Sequence, residues 1–327
     1  MGSDAGLLGS ANLRRRSLLS AIPLFMLIAL VIMLSLLSRE FLRLVTLINL
    51  MQQVAPIGIV AVGAMLCIII GGIDFTSGHG LAMIGMAASF FYVSGPFVGS
   101  LPMFILSFVV FGALLGLVNG FLIAKLNILP FIATLAMMSL VQGLSLYING
   151  GTMILLVGSP VLGVGQGRIG GVVPVSFLIF LAVCVLAGIM LRHTKLGVYI
   201  YAIGGNETAL WYTGVKVQHY KIMVYMLAGI CTGIAALLTV STIAMATPSM
   251  FGTTLIDAIA AACIGGTSMR GGKGTVFGTF IGAIIIVLIN TAFIYLNIQS
   301  AMQDVFKGIV ILFAVTVDAV ANMKYNK

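Results

Sequence analysis

The sequence predicts an all-α integral membrane protein with about ten transmembrane helices and one short polar helix held on the cytoplasmic side. Three observations predict it. Apolar residues fill 61% of the 327 positions, whereas Asp, Glu, Lys and Arg fill only 7%, against about 25% in a soluble domain. The mean hydropathy is +1.23. The 40 glycines fit transmembrane helices, where glycine is commoner than in soluble ones. The net charge of +9 does not mark a nucleic-acid binder. The basic residues are scattered between apolar runs and build no patch with aromatics.

A helix crossing a hydrocarbon core about 30 Å thick needs roughly 20 residues. On that measure crossings fall near 20–38, 51–71, 78–95, 101–124, 130–148, 173–191, 221–245, 254–269, 275–296 and 301–321. The first follows Arg14-Arg15-Arg16 and the small polar segment Met1–Asn12. Its length, and the Arg39-Glu40-Phe41-Leu42-Arg43 that replaces a small-residue cleavage site, make it a retained span rather than a signal peptide. Segment 78–95, with His79 and several small residues, and the short Gly-rich 254–269 are each open to being broken rather than continuous.

Orientation follows from the excess of Lys and Arg in cytoplasmic loops. A cytoplasmic N-terminus puts Arg14, Arg15, Arg16, Lys125, Arg192, Lys195, Lys216, Lys221, Arg270, Lys273, Lys324 and Lys327 inside, and only Arg39, Arg43, Arg168 and Lys307 outside. The chain then divides into a cytoplasmic N-terminal tail over 1–19, one transmembrane domain over 20–322 with an inner loop at 192–220, and a cytoplasmic C-terminal tail over 323–327. Both termini are inside. The longest outer loop, 149–172, is Gly-rich and without periodicity.

Gly112-xxx-Gly116-xxx-Gly120, Gly274-xxx-Gly278-xxx-Gly282 and Gly229-xxx-Gly233 each clear one helix face for close approach of a neighbouring backbone. Internal packing is the expected use, with a dimer seam or a sliding surface as the alternative. Cys67, Cys184, Cys231 and Cys263 all fall in apolar runs, where thiols behave as small hydrophobes. His79, His193 and His219 lie far apart, so no metal site is expected.

The inner loop carries a polar island. Asn206 is a good N-cap, Glu207 sits in the first turn where negative charge favours the helix dipole, and Thr208-Ala209-Leu210-Trp211-Tyr212-Thr213 continues to a stop at Gly214. Gly204-Gly205 ahead of the cap permits a sharp turn. The helix is too short to be stable alone and bears the only Trp of the chain. It is read either as an interfacial connector or as a docking knob for a soluble partner.

A second polar cluster, Ile264 to Gly274, approaches a phosphate-binding loop without matching it. Thr267 stands where the first glycine is required, Gly274 follows Lys273, and the flanks are spans rather than a strand and a helix. The expected structure is a tight inner turn. Charges at span edges are Asp74, Asp257, Asp304, Lys307 and Asp318, with Asp304 and Lys307 spaced to pair on one helix face. Asp74 carries the most weight, because Gly71-Gly72-Ile73-Asp74-Phe75-Thr76-Ser77-Gly78 breaks a helix around a charge, as substrate paths in transporters do.

These residues also carry a resemblance. Gly205-Asn206-Glu207 with Gly214-Val215 and Tyr220-Lys221-Ile222, the Gly71–Gly78 segment, Phe131-Ile132-Ala133-Thr134-Leu135, and Asp257-Ala258-Ile259-Ala260-Ala261 with Gly265–Gly274 occur in order over roughly 20–322. In this the chain resembles the ribose-type monosaccharide permeases of bacterial ABC importers. Trp211-Tyr212 stands where relatives usually carry smaller or basic residues. The resemblance implies a transport subunit of the inner membrane, not an enzyme. It implies a second permease subunit (homodimer or related heterodimer), two ATPase domains on one tandem chain or its dimer, a periplasmic sugar-binding protein and surrounding lipid. ATP and Mg²⁺ would be held by the ATPase and no cofactor by this chain. Gly204, Gly205, Asn206, Glu207, Thr208, Ala209, Leu210, Trp211, Tyr212 and Gly214 would then be the coupling helix that receives the ATPase movement. Asp74, Asn119, Thr134, Gln142 and Asn290 are the polar residues expected along the path of a neutral sugar, with packing contacts as the alternative. A stand-alone ion-coupled transporter would need coupling carboxylates near the midplane, and a membrane enzyme a His/Asp/Cys constellation; neither pattern is present in the sequence.

Overall fold

The computed structural model describes residues 23–95, 98–250, 254–299, 302–309, 312 and 316. The two terminal tails, Asp318 and much of segment 301–321 lie outside the described residues. Eleven helices can be numbered from the N-terminus. They are α1 (Pro23–Leu37), α2 (Leu44–Ile69), α3 (Thr76–Val93), α4 (Leu101–Ala124), α5 (Pro130–Tyr147), α6 (Leu162–Gln166), α7 (Val175–His193), α8 (Lys195–Tyr212), α9 (Val217–Ile243), α10 (Thr254–Ile264) and α11 (Val276–Tyr295). Residues 302–309 are again helical. Among the described residues, strand is confined to two ribbons of two-residue strands, Ile154–Leu155 against Met245–Ala246 and Arg168–Ile169 against Val173–Pro174.

Six of these helices are long and apolar enough to cross a membrane: α2, α4, α5 with its 3-10 extension to Gly151, α7, α9 and α11. This is an all-α, multi-pass membrane protein. Local chemistry sets the helix starts. Proline stands in the first turn of α4 and α5, where its missing N–H costs no hydrogen bond. Thr275 caps α11 by accepting from Gly278 N at 3.1 Å. The two segments open to being broken differ. α3 is continuous over 18 residues, whereas α10 has 11, about 17 Å of rise, short of a ~30 Å core.

α9 packs chiefly against α4, then α2 and α3, and most of α2 and α9 is buried while α4, α5 and α7 leave their outer faces exposed. The glycine faces explain how closely α4 and α9 approach. A Cβ on Gly112 would stand 2.3 Å from Gly229 O, and one on Gly116 2.1 Å from Tyr225 O. Gly278 and Gly282 likewise meet Gly265 O and Ala261 O of the α10 segment at 2.0 Å each. All three faces are thus occupied within this chain.

The loops sort to two ends of the bundle. At one end Gly272 N donates to Ile69 O (2.8 Å) and the Tyr201 hydroxyl to Gly274 O (2.8 Å), so the segments read as cytoplasmic gather there. At the other, the Ile154–Leu155 ribbon joins the end of α9, Tyr92 and Ser159 hydroxyls lie 2.7 Å apart, and Gln166 Nε2 donates to Thr242 O (3.0 Å).

Candidate functional site

Two groups of residues stand out at the end where the 192–220 loop lies. The first is that loop itself, which is more ordered than its sequence suggests. Helix α8 starts at Lys195, with the Thr194 hydroxyl accepting from Gly197 N, and runs through most of the island. It bends at Asn206, whose φ of −160° and ψ of 96° leave the helix. There the side-chain oxygen accepts from Ala209 N at 2.9 Å, which restarts the helix. The second arm ends where Gly214, at φ +81°, donates to Trp211 O (3.0 Å), the left-handed stop that glycine supplies.

The glycine pair corrects one expectation. Gly204 and Gly205 do not make the turn; both lie within α8, and neither has positive φ. Gly204 is required for contact instead. A Cβ there would stand 1.7 Å from Ile69 O and 2.4 Å from Gly272 N, so α8 lies flush against the end of α2 and the 268–274 turn. That turn, with Gly271 and Gly272 at φ +84° and +73° and Ser268 N donating to Lys273 O (3.0 Å), is the tight turn read from the sequence.

Beyond the bend, Leu210 packs on the core while Trp211 and Tyr212 are 63% and 76% exposed, their rings 5.2 Å apart in an edge-to-face pair. Glu207 Oε1 lies 2.6 Å from Lys221 Nζ at the start of α9.

The second group is a polar nest in the break between α2 and α3. Gly71 takes φ +79°, and the chain turns so that Asp74 is buried. Its Oδ1 accepts from Thr76 N at 2.9 Å, the Asx turn that a short acidic side chain forms two residues ahead. Asn119 Nδ2, from α4, donates to Thr76 Oγ1 at 2.8 Å and reaches Asp74 Oδ1 at 3.5 Å. From α5, the Thr134 hydroxyl donates to Pro130 O (2.8 Å) and lies 3.3 Å from Ile73 O. Asn119 Oδ1 and the Tyr225 hydroxyl, both buried, have no hydrogen-bond partner.

Of the five residues expected along a substrate path, the fold therefore joins Asp74, Asn119 and Thr134. Gln142 is exposed two turns further along α5. Asn290 belongs to a separate cluster, donating to Asp257 Oδ2 at 3.3 Å. There the predicted Asp304–Lys307 pair gives way to a tertiary one. Lys307 Nζ sits 3.1 and 3.2 Å from the two Asp257 oxygens, because burial of the Asp257 carboxylate draws the nearest ammonium inward, while Asp304 stays exposed. Sequence reasoning missed Thr76, Tyr225 and Lys221. The Asp-x-Thr spacing signals the first; nothing local signals the other two.

The matches to known proteins agree on a transport permease and differ in the cargo they name. Residues 46–315 match the family model described as branched-chain amino acid transport system / permease component. The ribose import permease protein RbsC of Escherichia coli is 39% identical over 91% of this chain and 92% of its own length. The corresponding protein of Haemophilus influenzae is 37% identical over the same shares. The galactose/methyl galactoside import permease protein MglC of Haemophilus influenzae is 34% identical over 88% and 89%. No solved structure matches the chain. With the model match covering most of the sequence and the relatives aligned along nearly their full lengths, the chain belongs to this family of import permeases.

Proposed function

We propose that this chain is the membrane-spanning permease subunit of a bacterial ABC importer, moving a pentose or hexose across the inner membrane by alternating access while a separate ATPase supplies the energy. The observation that carries this reading is the full-length similarity to ribose and galactose import permeases. The family description names branched-chain amino acids, so leucine is the competing cargo.

In this reading α1, α3, α10 and the helix from residue 302 join the six long spans to give ten crossings, and both termini are cytoplasmic. The chain pairs with itself or a related permease. It takes sugar from a periplasmic binding protein and works with two ATPase domains, which hold the ATP and Mg²⁺. The arm from Asn206 to Gly214 is the coupling helix. Its exposed Trp211 and Tyr212 supply the large, amphipathic anchor surface that interface hot spots favour, and half-buried Leu210 packs on the bundle. Movement of the arm reaches the membrane through Gly204, which leaves no gap against Ile69 O. Ile69 ends α2 and leads into the Asp74 break, so displacing α8 displaces the nest. Asp74, Asn119 and Thr134 are its substrate-facing polar groups, and the two unpartnered oxygens leave hydrogen-bonding capacity for a polyol.

The test is reconstitution with the ATPase and binding protein in vesicles, measuring ATP-dependent uptake of labelled ribose, galactose and leucine. Sugar uptake is expected; leucine uptake alone, or sugar uptake driven by an ion gradient without the ATPase, refutes the reading. Replacing Trp211 and Tyr212 together by Ala is expected to abolish co-purification of the ATPase while leaving the thermal stability of the permease unchanged.

A further inference from the structure

A cavity of about 270 Å³ opens below the Asp74 nest at the end of the bundle that carries α8, and its lining joins Gly71, Gly72 and Tyr225 to Glu207 and Lys221. Its volume is just under the ~300–1,000 Å³ range of small-molecule sites. Lys221 and Tyr225 are four residues apart on α9 and share one face of it, Lys221 toward the loop end and Tyr225 one turn deeper. The Tyr225 hydroxyl is buried without a partner. It fits there because residue 72 is glycine: a Cβ would stand 2.2 Å from it. At the mouth, the Lys221 ammonium meets Glu207 Oε1 at 2.6 Å, with the two side chains 19% and 48% exposed.

Glu207 is the first residue past the Asn206 bend. The arm presenting Trp211 and Tyr212 is thus tied across the cavity mouth to α9, one turn from the unpaired hydroxyl.

We propose that the Glu207–Lys221 ion pair is a latch on the cytoplasmic mouth of this cavity, through which an uncharged polyhydroxy substrate leaves, and that displacing the coupling helix opens the mouth by parting the pair. The proposal rests on the reading of this chain as an importer subunit. It adds that the coupling helix acts on the exit directly, besides acting through Gly204. A pair open to solvent on its Glu207 side suits a latch, because it holds at rest yet separates at small cost once the arm is pulled.

The test places a thiol at Ile123, which lines the cavity and is 4% exposed, in the full chain with its four cysteines replaced. Inside-out membrane vesicles without ATP are treated with a membrane-impermeant maleimide, and the labelling rate of Ile123→Cys is measured. Glu207→Gln is expected to raise that rate about fivefold, the factor a pair of this exposure can supply. Lys221→Gln, which parts the same pair from α9 and leaves α8 unaltered, should match it. The swap Glu207→Lys with Lys221→Glu should return the rate to that of the parent. A thiol at Leu129, which lines the same cavity but is 66% exposed, should label equally in every variant and so reports an intact bundle. An unchanged rate in both single variants, or a swap that labels as fast as they do with Leu129→Cys unaffected, overturns the latch. The assay contains neither ATPase nor sugar, so its failure is separate from failure of the importer reading. Accelerated labelling in a chain that transports no sugar would keep the latch and discard the importer.

Discussion

Two buried aspartates each sit beside an asparagine whose own side-chain oxygen is left unpaired, yet they are compensated differently. Asp257 has a cation: Lys307 lies 3.1 Å away, and with Asn290 it ties α10 and α11 to the helix at 302–309. Among the described residues Asp74 forms no ion pair. It is held by the Thr76 amide and, more distantly, by Asn119, at a chain break beside a cavity. A buried carboxylate with its ammonium is fixed, because parting the two leaves both charges desolvated. A carboxylate satisfied by a turn and an amide can change partners when the break moves. The Asp257 cluster therefore reads as a staple, and the Asp74 nest as the part of the bundle that works.

The sharpest way to break this comparison is to remove one member of the staple. Lys307→Met strands the Asp257 carboxylate and is expected to cost about 3–5 kcal/mol, read as a lowered thermal midpoint of the purified permease in detergent. Asp257→Leu with Lys307→Met should recover most of that loss, since a well-packed apolar pair can replace a buried ionic one. Uptake per folded transporter should stay near the parental rate. A single variant as stable as the parent would remove the staple from the argument.

Asp74→Asn should show the opposite pattern. The amide keeps the shape and strands no cation, so stability falls by only about 1 kcal/mol. Sugar uptake should fall about tenfold, the factor attached to losing a charged hydrogen-bond acceptor worth ~1.5 kcal/mol. If the midpoint drops as far as in Lys307→Met while uptake per folded molecule is kept, the two aspartates are doing the same job.

Much of this division is legible in the sequence. Apolar runs of span length are a dense signal, and the expected 101–124 and 130–148 became Leu101–Ala124 and Pro130–Tyr147. The Gly-flanked Asp74 marked the break because glycine and charge both interrupt an apolar helix. What was hidden depended on neighbours. A glycine needed for close approach looks the same in sequence as one needed for a turn, so Gly204 was misread. Residues 195–203 mix polar and apolar types, and only packing against α9 and the 268–274 turn resolves them as helix. Lys307 has an acidic neighbour three residues back, but its partner is 50 residues away, and that choice is made by burial rather than by spacing. Asn290 and Gln142 carry the same hydrogen-bonding groups as Asn119, yet one is committed to Asp257 and the other is exposed.

The smallest expected effect bears on the nest most directly. Tyr225 is fully buried, and its hydroxyl has no partner. A buried hydroxyl without a hydrogen bond destabilises the fold, so Tyr225→Phe, which keeps the ring, should leave stability unchanged or raise it by up to ~1 kcal/mol. If the hydroxyl serves only packing, uptake is unaltered too. If it meets the substrate beside Asp74, the half-saturating sugar concentration rises several-fold while the thermal midpoint holds. That separation of transport from stability is not expected at the staple, where Asn290 Nδ2 and Lys307 Nζ both donate to the Asp257 carboxylate and truncating either loses a protein bond. A loss of more than about 1 kcal/mol in stability would instead mean that the phenol is bonded within the protein and that the nest is closed.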